Sequence, residues 1–291
     1  MARRIKKQER CSLGITGWVI GLIFAVYMLI LLIPYIYALF SSVTDFPTWK
    51  KSIFPFPVSG LKLDNYISAW KDLKFGNNGV PQMILNSLWF AGGNAVLGVF
   101  LSSCGAYICA KYKFLGSKFI YWFALITMMI PIVGSMPSTL KYASALGVDN
   151  SRLYVFAMAQ TVNAAFIIMY SCFRNVDWAY AEAAFIDGAG HFTVFFKIIL
   201  PQVISPMTAL MMSDFILFWA NVENSLIYYP ELPTLATGLY YFRTDVITAA
   251  GMQRYPAYFA ALLLCMIPTI VLFSIFQKKL MDIQISGGLK G

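Results

Sequence analysis

Six stretches in which polar positions almost vanish set the plan of this chain: residues 13–40, 83–109, 119–140, 154–173, 207–229 and 256–276. A helix rising about 1.5 Å per residue needs about twenty residues to cross a hydrocarbon core of about 30 Å, and each stretch reaches or exceeds that. The pattern predicts an all-α integral membrane protein with six transmembrane helices in one domain, residues 13–276. A basic segment, 1–12, precedes it and a tail, 277–291, follows. No polar stretch is long enough to build a core of its own. In the second stretch Ala91, Ala95, Gly98, Ser102 and Ala106 recur every three or four residues, a face of small side chains that admits a close neighbour. Gly17 and Gly21 make a weaker pair of the same kind in the first. The third carries Met129-Ile130-Pro131 and Met136-Pro137; proline removes a backbone donor and crowds the preceding turn, so a bend or break is expected before Leu146.

Between these runs lie three polar segments of substance. Residues 41–82 hold Pro47, Pro55, Pro57 and Pro81, with a more helical piece near 63–73, and are expected to cap the bundle. Residues 230–255 open on Pro230 and Pro233 and contain Gly238 and Gly251. There Tyr240, Tyr241 and Phe242 offer aromatic surface either to an external partner or to the headgroup layer. The third segment, 174–202, is the most informative and is taken up below.

Composition agrees with a bilayer location: the 291 residues are 59% hydrophobic and 12% charged, with mean hydropathy +0.67, where a soluble domain carries about 25% charge. The net charge of +9 could suggest nucleic acid, but the basic residues gather at span ends. Arg3, Arg4, Lys6, Lys7 and Arg10 precede the first run, Lys111, Lys113 and Lys118 follow the second, and Lys278 and Lys279 follow the sixth. With six spans these clusters share one side, which the positive-inside rule makes cytoplasmic, with both termini there. Lys50, Lys51, Lys62, Lys71 and Lys74 oppose that bias from a loop of about forty residues, where charge counts for less. The first run exceeds the core of a cleavable signal and lacks a clear small-x-small site. Cys11, Cys104, Cys109, Cys172 and Cys265 lie in or beside spans, without metal-ligand spacing, as small apolar packing residues.

Residues 174–202 interrupt two apolar runs with a helix, a glycine break and a second helix. Asp177 can accept hydrogen bonds from the free amides of a first turn. Ala179, Ala181, Ala183 and Ala184 favour helix and leave a smooth surface, and Gly188 supplies the freedom to turn. Phe192, Val194, Phe195 and Phe196 load the second helix with apolar surface. His191, the single histidine, has neither nucleophile nor enclosed site around it in sequence, and is expected as an exposed elbow residue.

Glu182-Ala183-Ala184, then Asp187-Gly188-Ala189, then Ile198-Ile199-Leu200-Pro201, in this order between two apolar runs, resembles the EAA loop of permease subunits in binding-protein-dependent ABC importers. The proline-interrupted third span, Asn86-Ser87-Leu88 and the end Gly287-Gly288-Leu289-Lys290-Gly291 resemble the maltose and multiple-sugar branch, and the likeness covers most of the chain after residue 83. The resemblance implies a type I importer permease fold in a bacterial or archaeal cell membrane. It implies that Glu182, Ala183, Ala184, Phe185, Asp187, Gly188, Leu200 and Pro201 couple the chain to an ATPase subunit, and that Ser286, Gly287, Gly288 and Lys290 reach the ATPase from the tail. The partners it implies are a second permease subunit, two ATPase subunits, an extracytoplasmic solute-binding protein and a sugar or oligosaccharide, with Tyr240, Tyr241 and Phe242 as contacts for the binding protein. No catalytic, metal or cofactor site is expected on this chain; ATP and Mg would sit on the ATPase subunits, since no G-x-x-x-x-G-K-[ST] run occurs to cradle phosphates. The chain departs from the family pattern at Asp177, where proline is common, and at Phe185, where a basic residue is common.

Polar groups inside spans are costly and mark functional candidates. Asp214, Trp219, Asn221, Glu223 and Asn224 in the fifth span form one such set, suited to sugar hydroxyls and ring faces. Gln160 and Asn163, three apart in the fourth, are expected on one helix face. Interhelical hydrogen bonding is the structural alternative for both sets. A permease for amino acids, peptides or ions, or an ion-coupled secondary transporter using Asp214 and Glu223, is the competing function.

Overall fold

A computed structural model describes residues 14–58, 60–130, 134–248 and 250–287. Among them there is no β-strand, only an isolated bridge between Phe75 and Asn78. The chain opens with α1 (Ile15–Ser42), most of whose apolar side chains are exposed, and which lies along the last helix with Tyr37 edge-on to Phe259 at 5.5 Å. Two short helices follow, α2 (Phe46–Lys51) and α3 (Asp64–Asp72). The Asp45 carboxylate caps α2 by accepting from the Thr48 amide. The Asn65 side chain donates to the carbonyls of Ser42 and Thr44, at 2.9 and 3.0 Å, tying α3 to the end of α1.

Next, α4 (Val80–Ser87) continues through a π turn (Leu88–Gly92) into α5 (Gly93–Lys111), a single apolar rod of 32 residues. Its small face behaves as the spacing requires: Ala91, Ala95, Gly98, Ser102 and Ala106 are all buried. The third run is divided into α6 (Ser117–Met129) and α7 (Met136–Ala145). The fourth, expected as one helix, is instead α8 (Tyr154–Met158) and α9 (Ala164–Asn175). Asn163 explains that break, because its side chain accepts the Phe166 amide at 3.1 Å and so starts a new helix. Gln160 and Asn163 therefore do not share a helix face.

The elbow consists of α10 (Ala179–Ile186), α11 (His191–Val194), a π turn (Phe195–Ile199) and α12 (Leu200–Gln202). After a 76° bend comes α13 (Ile204–Trp219). The fifth run also breaks, into α13 and α14 (Glu223–Tyr228). Residues expected as an outer loop form α15 (Leu235–Thr248), pinned to α4 where the Ser87 hydroxyl accepts the Leu235 amide at 2.8 Å and the Asn86 amide donates to the Pro233 carbonyl at 3.1 Å. A 3-10 turn (Ala250–Arg254) leads into α16 (Tyr255–Gly287).

Among the described residues three helical stretches, Ile15–Ser42, Val80–Lys111 and Met252–Gln277, are each long and apolar enough to cross a membrane, and the bent pair His191–Gln202 with Ile204–Trp219 makes a fourth if counted as one. The remaining expected spans are built from shorter pieces. Helix α5 packs on both α9 and α13, and α13 packs on α16. The result is a bundle with two distinct ends. One, the cap end, carries α2, α3 and α15 around a core of Leu73, Met83, Phe215, Trp219 and Phe242. The other, the elbow end, carries α10 to α12 over a core of Tyr107, Phe166, Phe173, Phe195, Ile199 and Met207.

Candidate functional site

At the elbow end, α10 begins where expected to within two residues, the Asp177 carboxylate accepting the Ala179 amide at 3.0 Å. It stops by a paired device: the Gly188 amide donates to the Phe185 carbonyl at 3.0 Å and the Ala189 amide to the Ala184 carbonyl at 2.9 Å. That closure needs a left-handed residue, and Gly188 has φ +82°. The helix is then split by face. Ala181 and Ala184 are buried and Phe185 packs inward on Trp178 and His191, at 6.1 and 4.9 Å between ring centroids. Glu182, Ala183, Ile186 and Asp187 point away from the bundle, Ile186 with 85% of its surface exposed. Leu200 and Pro201 lie in α12, directly before the bend into α13.

Two residues at the end of α5 grip this elbow, one of them marked in the sequence only by its charge and the other by nothing local. The Lys111 ammonium donates to the Val176 carbonyl and sits 5.9 Å from the centre of the Trp178 ring, within range of a cation–π contact. The Tyr112 hydroxyl is 2.9 Å from His191 Nδ1, and its ring meets Trp178 edge-on at 6.0 Å. Val176 and His191 flank α10 on either side, so α10 is held at both ends by residues from one corner. His191 is exposed, as expected, but partnered. The signal for the grip is long-range, 65 and 79 residues apart in sequence, and a single chain without co-variation hides it.

A second site is a cleft of about 520 Å³ bounded by α7, α8 and α14. It gathers Gln160, Glu223 and Asn224 with the hydroxyl side chains Ser138, Thr139 and Tyr142, and is walled by Tyr154 and Tyr228. The structure separates the other fifth-span candidates from it. Trp219 is buried, stacked on Phe215 at 5.4 Å, and its indole donates to the Cys265 carbonyl at 3.2 Å. Asn221 accepts the Asn224 amide at 2.8 Å, opening α14. Asn163 Oδ1 is 2.9 Å from the Ser102 hydroxyl, which also lies 3.1 Å from the Gln160 carbonyl. Asp214 is half-buried in α13 and not part of the cleft lining. Tyr142, 56% exposed, supplies aromatic surface there, in place of Trp219.

In α15, Phe242 is 2% exposed and lies under the Arg254 guanidinium at 5.1 Å, so its ring belongs to the core rather than to a contact surface. Tyr241 packs on Phe75 at 4.4 Å, and Tyr240 is the exposed member of the three. Ser286 and Gly287 close α16, while Gly288 and Lys290 lie outside the described residues.

Comparisons with known proteins bear on this arrangement. Residues 96–281 match the family described as binding-protein-dependent transport system inner membrane component. Over 262 residues the chain is 25% identical to the diacetylchitobiose uptake system permease protein NgcG of Streptomyces coelicolor, covering 87% of this chain and 82% of that one. It is 30% identical over 218 residues to the maltodextrin transport system permease protein MdxG of Bacillus subtilis, covering 71% and 74%. Among solved structures it matches, with TM-score 0.76 and 19% identity over 91% of this chain and 96% of the other, a chain from a bacterial ABC transporter involved in the import of the acidic polysaccharide alginate, a likeness of fold. A family match over well over half of the chain settles membership: this protein belongs to the inner-membrane components of binding-protein-dependent transport systems.

Proposed function

We propose that this chain is one of two permease subunits of an ATP-driven importer of sugars or oligosaccharides, and that α10 is the rod through which a separate ATPase subunit drives it. The single observation that carries the reading is the division of α10: Glu182, Ala183 and Ile186 face outward from a helix whose other face is anchored on Ala181, Ala184 and Phe185. A free face with Ala183 beside the Glu182 carboxylate, and Asp187 at its end, offers a partner's groove a short acidic contact, with Glu182 meeting a basic side chain. The sugar assignment is supported by the oligosaccharide permeases among its relatives. On this reading the elbow end faces the cytoplasm, as Lys111, Lys113 and Lys118 favour, and the cap end faces an extracytoplasmic binding protein, with Tyr240 the exposed aromatic there. The tail after Ser286 reaches toward the ATPase pair, and ATP with Mg is bound by those subunits. Gln160, Glu223 and Asn224 line the solute path, while Asp214, Trp219, Asn221 and Asn163 hold its walls.

Reconstitution with the second permease, the ATPase subunits and the solute-binding protein tests this. Wild type is expected to take up sugar only with ATP, and Glu182→Lys, which reverses a charge on the free face, is expected to abolish uptake while the chain still inserts and ATP hydrolysis persists uncoupled. Uptake driven by an ion gradient with no ATPase present overturns the reading.

A further inference from the structure

We propose that the cleft between α7, α8 and α14 is a subsite for sugar units bearing no negative charge, and that Glu223 turns away units carrying a carboxylate or a phosphate. The inference rests on the importer reading and deepens it by naming the class of solute. Among the described residues lining the cleft, Glu223 is the one with a formal charge; Lys141, the basic residue of α7, lies outside the lining. Glu223 is exposed at the start of α14. A carboxylate there accepts hydrogen bonds from solute hydroxyls or from an ammonium and donates none. An anionic unit within about 4 Å would meet repulsion with no cation in the lining to offset it, a penalty of about tenfold or more in affinity even in a hydrated cleft.

A second observation points to a ligand independently. Tyr154 is 1% exposed and packed against Tyr228 and Tyr229, at 5.0 and 5.5 Å between ring centroids. It lines the cleft, and its hydroxyl has no hydrogen-bond partner. Buried hydroxyls are almost always paired, because leaving one unpaired forfeits its hydration. The hydroxyl is itself enclosed, so it would serve a solute hydroxyl as donor or acceptor through one intervening water rather than by direct contact. The amides of Gln160 and Asn224 supply both donors and acceptors to the same cleft, the mixture that polyhydroxylated rings require.

The test uses the assembled transporter without its binding protein, titrated with three probes of matched length: cellotriose, the glucosamine trimer and trigalacturonate. Binding is followed by saturation-transfer NMR. In wild type the first two are expected to bind at least about tenfold more tightly than trigalacturonate; Glu223→Gln should shrink the gap to within about threefold, and Glu223→Lys should reverse it. Tyr154→Phe is expected to weaken cellotriose severalfold while leaving the melting temperature unchanged or higher, which separates a solute contact from a packing role. Equal binding of all three probes to wild type, a gap that survives Glu223→Gln, or no saccharide binding at all overturns the subsite. ATP-driven uptake by the same preparation is scored separately, so the subsite can fail while the importer reading stands.

Discussion

A glycine and a tyrosine decide how the elbow is held. At Gly188 an added Cβ would meet no atom within 4 Å, so space is not the constraint; the φ of +82° is. A β-branched residue forced there costs about 1–2 kcal/mol in backbone strain, whereas asparagine tolerates the left-handed region. Gly188→Asn is therefore expected to keep ATP-coupled uptake, and Gly188→Val to lose most of it by unwinding the end of α10. Equal uptake by the two, measured in vesicles of matched expression, would show that the closure of α10 does not matter to coupling. Tyr112→Phe removes an exposed 2.9 Å hydrogen bond to His191 and a long 3.4 Å one to the Tyr107 hydroxyl, together worth about 1 kcal/mol, and leaves the ring contacts with Trp178 in place. That is too little to unfold the chain but enough to loosen one end of the rod, so the ATP hydrolysed per sugar moved is expected to rise severalfold with melting temperature nearly unchanged. An unaltered ratio would reduce Tyr112 to packing.

Between elements, α5 is closely approached at Gly93, where a Cβ would fall 2.8 Å from Val155 Cγ1, and at Gly105, where it would fall 2.8 Å from Thr161 Cγ2. Thr161 belongs to the non-helical link between α8 and α9, so the glycine lets that link cross the rod. Gly105→Ala is expected to destabilise the detergent-solubilised protein by about 1–3 kcal/mol through overpacking, and Thr161→Ser, which deletes the offending methyl, should restore most of it in the double variant. Additive losses in the thermal melts of the two single variants would place the strain elsewhere. The small face of α5 and the proline break of the third run were legible in the sequence because both are local: a three-four spacing and a missing amide. The elbow was legible for the same reason, since Asp177, the alanines and Gly188 act within one turn of themselves. What the sequence hid was every break made by a polar side chain turning on its own backbone, at Asn163 and Asn221, because an apolar average over twenty residues outvotes one asparagine. It also hid the division of the pathway candidates. Glu223 and Trp219 are four residues apart, but Ala220 to Val222 are not helical, so the two side chains part into a polar cleft and an apolar core.

At the scale of the whole molecule the two proposed sites are joined by α5. Its last residues grip the elbow through Lys111 and Tyr112, and its flank carries the Gln160–Asn163 link through Ser102, next to the cleft that Gln160 lines. A displacement of α10 would thus reach the cleft through about 14 Å of one helix, from Lys111 back to Ser102 at about 1.5 Å rise per residue, rather than through the bend between α12 and α13 alone. This linkage has meaning only if the elbow and the cap lie on opposite sides of the membrane, with the elbow inside. Charge predicts that arrangement. The corner after α5 carries Lys111, Lys113 and Lys118 in a short loop, the kind of loop in which lysine is retained on the cytoplasmic side, whereas the lysines around α2 and α3 are diluted in a long folded cap. The prediction can be read with a membrane-impermeant maleimide on a variant whose five native cysteines are replaced. A single cysteine at Asp187, exposed beside α10, should label in inverted vesicles and not in intact spheroplasts, and one at exposed Lys62 should do the reverse. Labelling of the Asp187 position from outside would put the rod on the wrong side of the membrane for any ATP-hydrolysing partner, and with it the coupling of nucleotide to solute movement through α5 would fall.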